Sequence, residues 1–363
     1  MTGDNIKKYV DAGISTDHEC FTLEEAEEKI ALGMKILIRE GSAAKNFEAL
    51  IPLMAPHPEM LMFCSDDKHP NDLVRGHVNQ LVKRAVEMGY NIMDVLKAAS
   101  LNAVKHYRLN VGLLQQGDDA DFIVMDNLEE MNVLQTYIKG ALVAEKGVSK
   151  MEHLATKPIN NFKAEPITVA DIRLADCGKR VKVISCIDGQ LVTDTVIAEP
   201  KVEDGNIVSD VSRDILKLVV VNRYEKTQPA VSFIKNMGLK QGAIASSVAH
   251  DSHNIVAVGT SDDDIVKAVN LLIENGGGVV AVGKDETAVL PLPVAGLMSN
   301  GDGYQVAEDY EKADALAHRL GTTLNAPFMT LAFMSLLVIP ELKLSDKGLF
   351  DGKKFAFTSV FED

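Results

Sequence analysis

The first hundred residues alternate between amphipathic and apolar stretches at short intervals. DNIKKYVDAG and TLEEAEEKIALGM space their apolar residues as helices do, and Thr22 lies three residues before Glu25, the spacing of a helix-capping box. The runs ISTDHE, KILIRE and MLMFCSDD are short, apolar at first and polar at their ends. This alternation predicts an α/β fold in which helices join parallel strands.

A further helical pattern follows the third apolar run. Pro70 suits the first position of a helix, where its missing N–H costs little. Apolar positions and one histidine then recur every four residues, at Leu73, His77, Leu81 and Ala85. This spacing predicts one helix with an apolar face, on which His77 would be a core histidine rather than a ligand. IMDVLKAASLNAVKHY predicts a second helix of the same kind.

The pattern changes after residue 117, where DADFIVMD and QTYIKGALVAEKG predict short strands separated by turns. The last two hundred residues mix apolar strand patterns such as KLVVVNRY with helical ones such as DDDIVKAVNLLIEN. We therefore expect four segments. They are an α/β domain at 1–110, a small β-sandwich segment at 111–150, a linker at 151–165 and a C-terminal α+β domain at 166–363.

The charge balance narrows the range of partners. The chain has 37 Lys and Arg against 52 Asp and Glu, a net charge of −15, and no basic stripe interleaved with aromatic residues. Nucleic acid and anionic membranes are therefore poor candidate partners. The four cysteines show no CxxC spacing, and the sequence shows neither an apolar leader nor a long apolar run. These features predict a reduced, cytoplasmic protein without a membrane span.

Polar side chains stand where the three predicted strands end. His18 follows the first, the loop that begins at Arg39 follows the second, and Asp66 follows the third. In a barrel of parallel strands such positions share one rim, which is where active sites lie. Imidazole and carboxylate ligands suit Zn, Mn or Fe, and a bound divalent ion lowers the pKa of a coordinated water to about 7. The sequence thus offers His18 and Asp66 as ligands of a hydrolytic metal site.

Each of these features also has a structural explanation. His18 could be a surface residue of a polar loop, and Asp66 could interact with the start of the following helix. Arg39 and Glu40 could form an ion pair within their loop. HDSHN, residues 250–254, has the composition of a hairpin turn, although two histidines in five residues are unusual for a turn alone. Only the shared placement at strand ends favours the functional interpretation of the first three.

Several longer stretches resemble one known family. They are YVDAGISTDHE, EKIALGMKILIREGSAAKN, FCSDDKHPNDLVRGHV, GLLQQGDDADFIV, GAIASSVAHDSHNIVAVGT, LPLPVAGLMS and PFMTLAFMSLLVIPELKL. Together they resemble the adenine deaminases of the amidohydrolase superfamily, across nearly the whole chain. The resemblance implies a metal-dependent (β/α)₈ barrel that hydrolyses adenine to hypoxanthine and ammonia, followed by a small β-rich module and a C-terminal α+β domain.

The resemblance also implies roles for single residues. His18 corresponds to the metal ligand of the sixth barrel strand, and Asp66 to the eighth-strand aspartate that binds metal and moves protons. The residues implied to bind substrate or close the site are Glu19, Arg39, Glu40, Ser42, Asp67, His250, Asp251, His253 and Asn254. Ser65 and Glu19 neighbour the implied ligands. Manganese or iron is favoured as the metal, with zinc left open, and a homodimer is implied.

The family pattern includes further ligands that this sequence does not contain. They are a His-x-His pair after the first strand, a carboxylate from a middle strand and a histidine after the fifth. We therefore expect residues 1–110 to be the C-terminal part of the barrel, from just after the fifth strand, with an N-terminal chain as a candidate partner. Two alternatives stay open: an amidohydrolase for another cyclic amidine or amide, and a non-catalytic protein that binds a purine or a partner.

Overall fold

The structure is a computed structural model that describes residues 1–152, 154 and 157–362. The chain forms two compact units, residues 1–154 and 155–363. In chain order the first unit contains α1 (Asp4–Asp11), β1 (Thr16–Asp17), α2 (Leu23–Ala31), β2 (Lys35–Arg39), α3 (Phe47–Leu50), β3 (Leu61–Cys64), α4 (Pro70–Leu73), α5 (Val78–Glu87), α6 (Ile92–Leu96), α7 (Asn102–Tyr107), β4 (Phe122–Met125), β5 (Val133–Ile138), β6 (Ala141–Glu145) and β7 (Val148–Ser149). A π-helical turn, Lys97–Leu101, joins α6 to α7.

Three parallel strands form the centre of the first unit, in the order β1-β2-β3. Asp17 pairs with Ile36, and Arg39 pairs with Cys64, so the three carboxyl ends lie side by side. The inward side chains of β2 and β3, such as Ile38 and Leu61, pack with α5 and α6 in one core. The predicted α/β class is therefore confirmed for this part of the chain.

The helix α2 begins as predicted, but only one of the two hydrogen bonds of the predicted capping box is present. Thr22 Oγ1 accepts a hydrogen bond from the Glu25 N–H at 3.2 Å. The Glu25 carboxylate does not complete a capping box, because it lies 2.6 Å from Lys29 Nζ, one turn further along the helix. The side chain that the cap would use is taken by an ion pair.

The prediction of one helix through Leu73, His77, Leu81 and Ala85 is wrong. Pro70 does begin a helix, but α4 ends at Leu73 and α5 begins only at Val78. Gly76, with a φ of 152°, lies in the break. Leu73 is therefore exposed and His77 precedes the helix, while Leu81 and Ala85 are buried as expected. His77 is not a core residue.

The β-rich segment forms one four-stranded antiparallel sheet, in the order β4-β5-β6-β7. We expected a sandwich here, and the described residues of 111–150 contribute this one sheet. Within the predicted linker at 151–165, no described residue belongs to a helix or strand, and His153, Ala155 and Thr156 lie outside the described residues.

The second unit is built on a larger sheet. Its elements in chain order are β8 (Val181–Cys186), β9 (Thr193–Ala198), β10 (Lys201–Glu203), β11 (Asn206–Val208), β12 (Ile215–Val221), β13 (Ala230–Lys235), β14 (Ala243–Ser246), β15 (Ile255–Gly259), α8 (Asp262–Glu274), β16 (Gly278–Val282), β17 (Thr287–Pro291), α9 (Gly303–Arg319), α10 (Pro327–Phe333), β18 (Leu342–Ser345), β19 (Gly348–Asp351) and β20 (Ala356–Phe357). Short 3₁₀ turns are present in both units.

Eight strands form this sheet, in the order β17-β16-β14-β15-β12-β13-β8-β9. Only β13 and β8 pair in parallel. Helix α8 packs against β14, β15 and β16, because its apolar side chains such as Ile265 and Leu272 share a core with those strands. Helix α9 packs against β16 and β17. Among the described residues, no helix is both long and apolar enough to cross a membrane.

Two fully buried lysines in the second unit differ in their partners. Lys217 on β12 forms an ion pair with Asp262, 2.7 Å from its Oδ1. Lys343 on β18 donates to the Leu191 carbonyl at 2.6 Å, and no carboxylate of the described residues forms an ion pair with it. Burial lowers the pKa of Lys343 to about 7. Burial of a lysine is unfavourable for the charged form unless an anion compensates.

We expect Lys343→Met to stabilise the protein by about 2 kcal/mol near pH 7, with a smaller gain toward pH 10. The folded pKa lies below the unfolded value of about 10.4, so the unfolded state binds more protons between these values. The destabilisation caused by Lys343 is therefore full below about pH 7 and fades as the pH rises. Thermal unfolding at both pH values measures this gain.

Lys217→Met is the matched control, because it removes an equally buried lysine and leaves Asp262 without its partner. We expect this change to destabilise the protein at both pH values. A Lys343→Met variant that is less stable than wild type at pH 7 would contradict the prediction.

Candidate active site at the strand ends

The structure brings His18 and Asp66 together at the carboxyl ends of β1 and β3. His18 Nε2 lies 3.1 Å from Asp66 Oδ2. Both residues are accessible, with side chains 47% and 27% exposed. The two residues are 48 positions apart in the sequence, and the parallel order of the strands brings them together. A small molecule or ion therefore has access to both.

Asp66 is held in a defined conformation by its own loop. Its φ is 52°, in the left-handed region that aspartate tolerates better than most residues. Its Oδ1 accepts a hydrogen bond from the Asp67 N–H at 2.8 Å, which leaves Oδ2 to face His18 and Arg39. The carboxylate thus presents one oxygen to the site and uses the other to fix its orientation.

Arg39 lies beneath this acidic cluster. Its side chain is 3% exposed, and its Nη1 lies 3.1 Å from Asp66 Oδ2 and 3.7 Å from Glu19 Oε1. Its Nη2 lies 3.8 Å from Asp67 Oδ2. The sequence left open an ion pair between Arg39 and its neighbour Glu40, but the carboxylates near Arg39 are those of Glu19, Asp66 and Asp67. Glu40 instead lies 3.1 Å from Arg84 Nη1 on α5.

The loop after β2 packs tightly on the loop after β3. A Cβ on Gly41 would lie 2.6 Å from the Asp67 carbonyl oxygen, so only glycine fits here without a shift. Ser42 donates its N–H to the same carbonyl at 2.8 Å. Its hydroxyl donates to Asp72 Oδ2 at 2.6 Å and accepts from the His69 N–H at 2.9 Å. Ser42 is buried, and these contacts give it a role in joining the two loops.

The aspartate that precedes His18 is part of a buried ion pair. Lys29, 1% exposed, places Nζ 2.5 Å from Asp17 Oδ2 and 2.6 Å from Glu25 Oε1. Burial opposes its charge, but hydrogen bonds to Asp17 and Glu25 outweigh this effect and raise the pKa of Lys29. Asp17, Glu25 and Cys20 lie close enough together to bind a metal ion. Because the ammonium group lies among them, we assign this cluster to structure.

His77 lies beside the site, although its sequence pattern predicted a core position. Its Nε2 is 2.9 Å from the hydroxyl oxygen of Ser65, the residue before Asp66. Loss of hydration, and then the charge of Lys68, lowers the pKa of His77. The signal for this position is Gly76, which interrupts the helical pattern one residue earlier.

Asn46 was not predicted and joins two of the strand ends. Its Oδ1 accepts the Arg39 N–H at 2.7 Å, and its own N–H donates to the Arg39 carbonyl at 3.1 Å. Its Nδ2 donates to the carbonyl oxygens of His18 and Cys20 at 3.3 and 3.1 Å. One buried side chain therefore fixes the backbone on either side of the cluster.

The segment 250–254 of the second unit connects β14 to β15, which pair antiparallel. The His250 ring stacks on Phe333, with ring centres 4.8 Å apart and planes 15° apart. Asn254 is buried, and its Oδ1 accepts the Arg223 N–H at 3.2 Å. Asp251 has an exposed side chain. Desolvation lowers the pKa of His253, and its buried Nδ1 has no hydrogen-bond partner among the described residues. The turn is therefore ordered by Asn254, while Asp251 faces solvent.

The donor set at the strand ends fits a divalent ion. Two ligand atoms bound at about 2.1 Å to one ion lie about 3.0 to 3.4 Å apart at the angles of octahedral or tetrahedral sites. The 3.1 Å between His18 Nε2 and Asp66 Oδ2 falls in this range. Glu19 and Asp67 carry further carboxylates, with side chains 39% and 37% exposed. Imidazole and carboxylate ligands suit Mn, Fe or Zn.

Comparison with known proteins identifies the family of this chain. A family model described as the amidohydrolase family matches residues 3–143, and one described as the adenine deaminase C-terminal domain matches residues 190–356. Adenine deaminases from Salinibacter ruber and Methanosarcina barkeri are each 53% identical to this chain. The alignments cover 100% and 99% of this chain and 67% of each relative. The chain belongs to the adenine deaminase family. The resemblance drawn from its motifs is confirmed.

The match is distributed along the whole chain. An adenine deaminase from Borreliella burgdorferi is 46% identical, with 96% of this chain and 65% of the relative covered. The chain spans about two thirds of the length of these adenine deaminases. A solved β-aspartyl dipeptidase from Fervidobacterium islandicum aligns with 42% of this chain and 47% of its own, at 19% identity and a TM-score of 0.33. That likeness is too weak to support an argument.

We expect Asn46→Ala to destabilise the first unit by about 2 kcal/mol and to weaken Mn²⁺ binding, because it releases the backbone of both His18 and Arg39. Chemical unfolding measures the first effect and calorimetric titration with Mn²⁺ the second.

Asn102→Ala is the matched control. Asn102 is equally buried and donates to two carbonyls, those of Pro58 and Leu61, at the opposite end of β3. It should show a similar loss of stability with unchanged Mn²⁺ affinity. Equal effects of the two variants on Mn²⁺ binding would count against a positioning role for Asn46.

Proposed function

We propose that this protein hydrolyses adenine to hypoxanthine and ammonia at a divalent-metal site that contains His18 and Asp66. The observation that carries the proposal is the 3.1 Å approach of His18 Nε2 to Asp66 Oδ2 at adjacent strand ends. Membership of the adenine deaminase family supports the reaction and the substrate. Manganese or iron is the proposed metal, and zinc has the same ligand preferences.

The reaction needs a nucleophilic water and a group that moves protons. A divalent ion held by His18 and Asp66 would supply Lewis-acid activation of water near neutral pH. The water oxygen bonds to C6 of the purine, and the bond from C6 to the amino nitrogen breaks. One water proton ends on the ring and the other leaves in ammonia. Asp66 is the proposed carrier of the second proton, because its carboxylate faces the site.

The residues around His18 and Asp66 are assigned two kinds of role, according to whether their side chains are exposed or buried. Glu19 and Asp67 have accessible carboxylates and are proposed to contact the substrate. The buried contacts of Arg39, Glu40 and Ser42 support an indirect role, in which they hold the loops that carry Asp66 and Asp67. Adenine is neutral near pH 7, so its binding needs hydrogen-bonding groups rather than a strong positive field.

The proposed domain organisation follows from the same assignment. We infer that residues 1–110 are the C-terminal part of an amidohydrolase-type (β/α)₈ barrel, which the match to residues 3–143 supports. Residues 166–363 are inferred to be the adenine-deaminase-type C-terminal domain, which the match to residues 190–356 supports. The four cysteines are free, which agrees with a reducing, cytoplasmic location.

We expect Asp66→Asn to lower the rate of ammonia release from adenine by about 10³-fold, because the amide cannot accept the proton. The assay is conversion of adenine to hypoxanthine by the Mn²⁺-loaded protein. Asp94→Asn is the control, since Asp94 lies on α6 and pairs with Lys97 at 3.1 Å. It should retain wild-type turnover. Turnover at the wild-type rate by Asp66→Asn would contradict the proposed role of Asp66 as proton carrier.

We also propose that residues His250, Asp251, His253 and Asn254 take part in binding substrate or closing the site. The unpartnered Nδ1 of His253 and the ordering of the turn by Asn254 support this role. The double variant His250→Ala, His253→Ala should lower kcat/KM for adenine by about tenfold or more. Steady-state kinetics measures this. An unchanged kcat/KM in the folded variant would refute a role for these histidines in turnover.

A further inference from the structure

Arg39 and His18 contact the same oxygen atom of Asp66. His18 Nε2 and Arg39 Nη1 each lie 3.1 Å from Asp66 Oδ2. An ion bound between His18 and Asp66 would use that oxygen as a ligand. The oxygen that the metal site needs is therefore already paired with a fixed positive charge.

The guanidinium group of Arg39 also lies close to the other two acidic side chains of the cluster. Nη1 lies 3.7 Å from Glu19 Oε1, and Nη2 lies 3.8 Å from Asp67 Oδ2. Three carboxylates that could contact a divalent ion thus share one arginine. In the absence of an ion, this arginine offsets their mutual repulsion.

Arg39 is also held in place. Its side chain is 3% exposed, and Asn46 bonds to both its backbone N–H and its backbone carbonyl. Gly41 and Ser42, two and three residues further along the chain, pack against the Asp67 carbonyl. The guanidinium group is therefore buried, and its charge lies close to any ion at Asp66.

We propose that Arg39 is a built-in counter-ion that competes with the divalent metal for Asp66 and so sets the metal affinity of the site. The proposal rests on the proposed function only in requiring that His18 and Asp66 bind the metal. It gives Arg39 two opposite effects. The arginine stabilises the metal-free protein by pairing the carboxylates, and it weakens metal binding by repelling the ion.

The opposite effects of Arg39 on protein stability and on metal affinity distinguish this role from a merely structural one. Arg39→Met removes the charge and retains much of the side-chain volume. It should lower the stability of the metal-free protein, because three carboxylates lose the positive charge that they share. It should also tighten Mn²⁺ binding by about tenfold, because one positive charge within a few ångströms of the ion is gone. A residue that only holds the site together would lower both stability and affinity when removed.

The test is Mn²⁺ binding to the full chain, measured by calorimetry and by electron paramagnetic resonance of free Mn²⁺. Arg84→Met is the matched control. Arg84 pairs with Glu40 and Glu48 at 3.1 and 2.6 Å, and neither of these ion pairs includes Asp66. Tighter binding by Arg39→Met with unchanged binding by Arg84→Met supports the proposal. An equal gain in both variants means a general charge effect and overturns it, as does weaker or unchanged binding by folded Arg39→Met.

Arg39→Lys keeps the proposal testable if Arg39→Met does not fold. It retains the charge, so its Mn²⁺ affinity should stay within about threefold of wild type, and a tenfold gain would overturn the proposal. Mn²⁺ binding only in Arg39→Met supports the competition directly. No binding in the wild type or in any folded variant overturns both the metal site and the competition. Normal binding by the wild type without a gain in the variant overturns the competition alone.

Discussion

Two buried cations compensate the acidic side chains at the carboxyl ends of the parallel strands. Lys29 pairs with Asp17 at the end of β1, and Arg39 pairs with Asp66 after β3. Carboxylates that approach within a few ångströms repel each other strongly where water is excluded. Lys29 and Arg39 offset this repulsion, although neither contributes an atom to the proposed chemistry. The strand order brings His18 and Asp66 side by side, and the cations compensate the charges that meet there.

The sequence predicts which residues lie at the strand ends, but it does not predict the buried residues that hold those ends in place. The apolar runs that end in His18, Arg39 and Asp66 are local patterns, and parallel order then brings their ends together. Lys29 lies in a helix rich in glutamate, where a lysine four residues after Glu25 resembles an ordinary surface pair. Its burial depends on Asp17, which lies on a different element. Asn46 likewise acts through contacts that no local spacing encodes.

Residue spacing also gave a wrong prediction of one continuous helix where a glycine interrupts the helical pattern. The four-residue period through Leu73 and His77 is real in the sequence, but the helix does not continue across Gly76. The period therefore predicted the burial of Leu81 and Ala85 and failed one turn earlier. The same failure concealed the contact between His77 and Ser65, which depends on the end of β3. Interruptions of this kind mark places where loops, rather than helix faces, position side chains.

The chemistry of arginine explains why this cation, and not a lysine, suits the strand ends. The planar guanidinium group reaches Asp66 and Glu19 with Nη1 and Asp67 with Nη2, while its Nε stays buried without a partner. A lysine would present one point charge and could not span these carboxylates in a fixed geometry. Buried Lys343 shows the opposite case, since a single carbonyl leaves its charge so poorly compensated that its pKa falls to about 7. The buried charge of Arg39 is compensated because three anions share it, and that sharing links it to Glu19, Asp66 and Asp67.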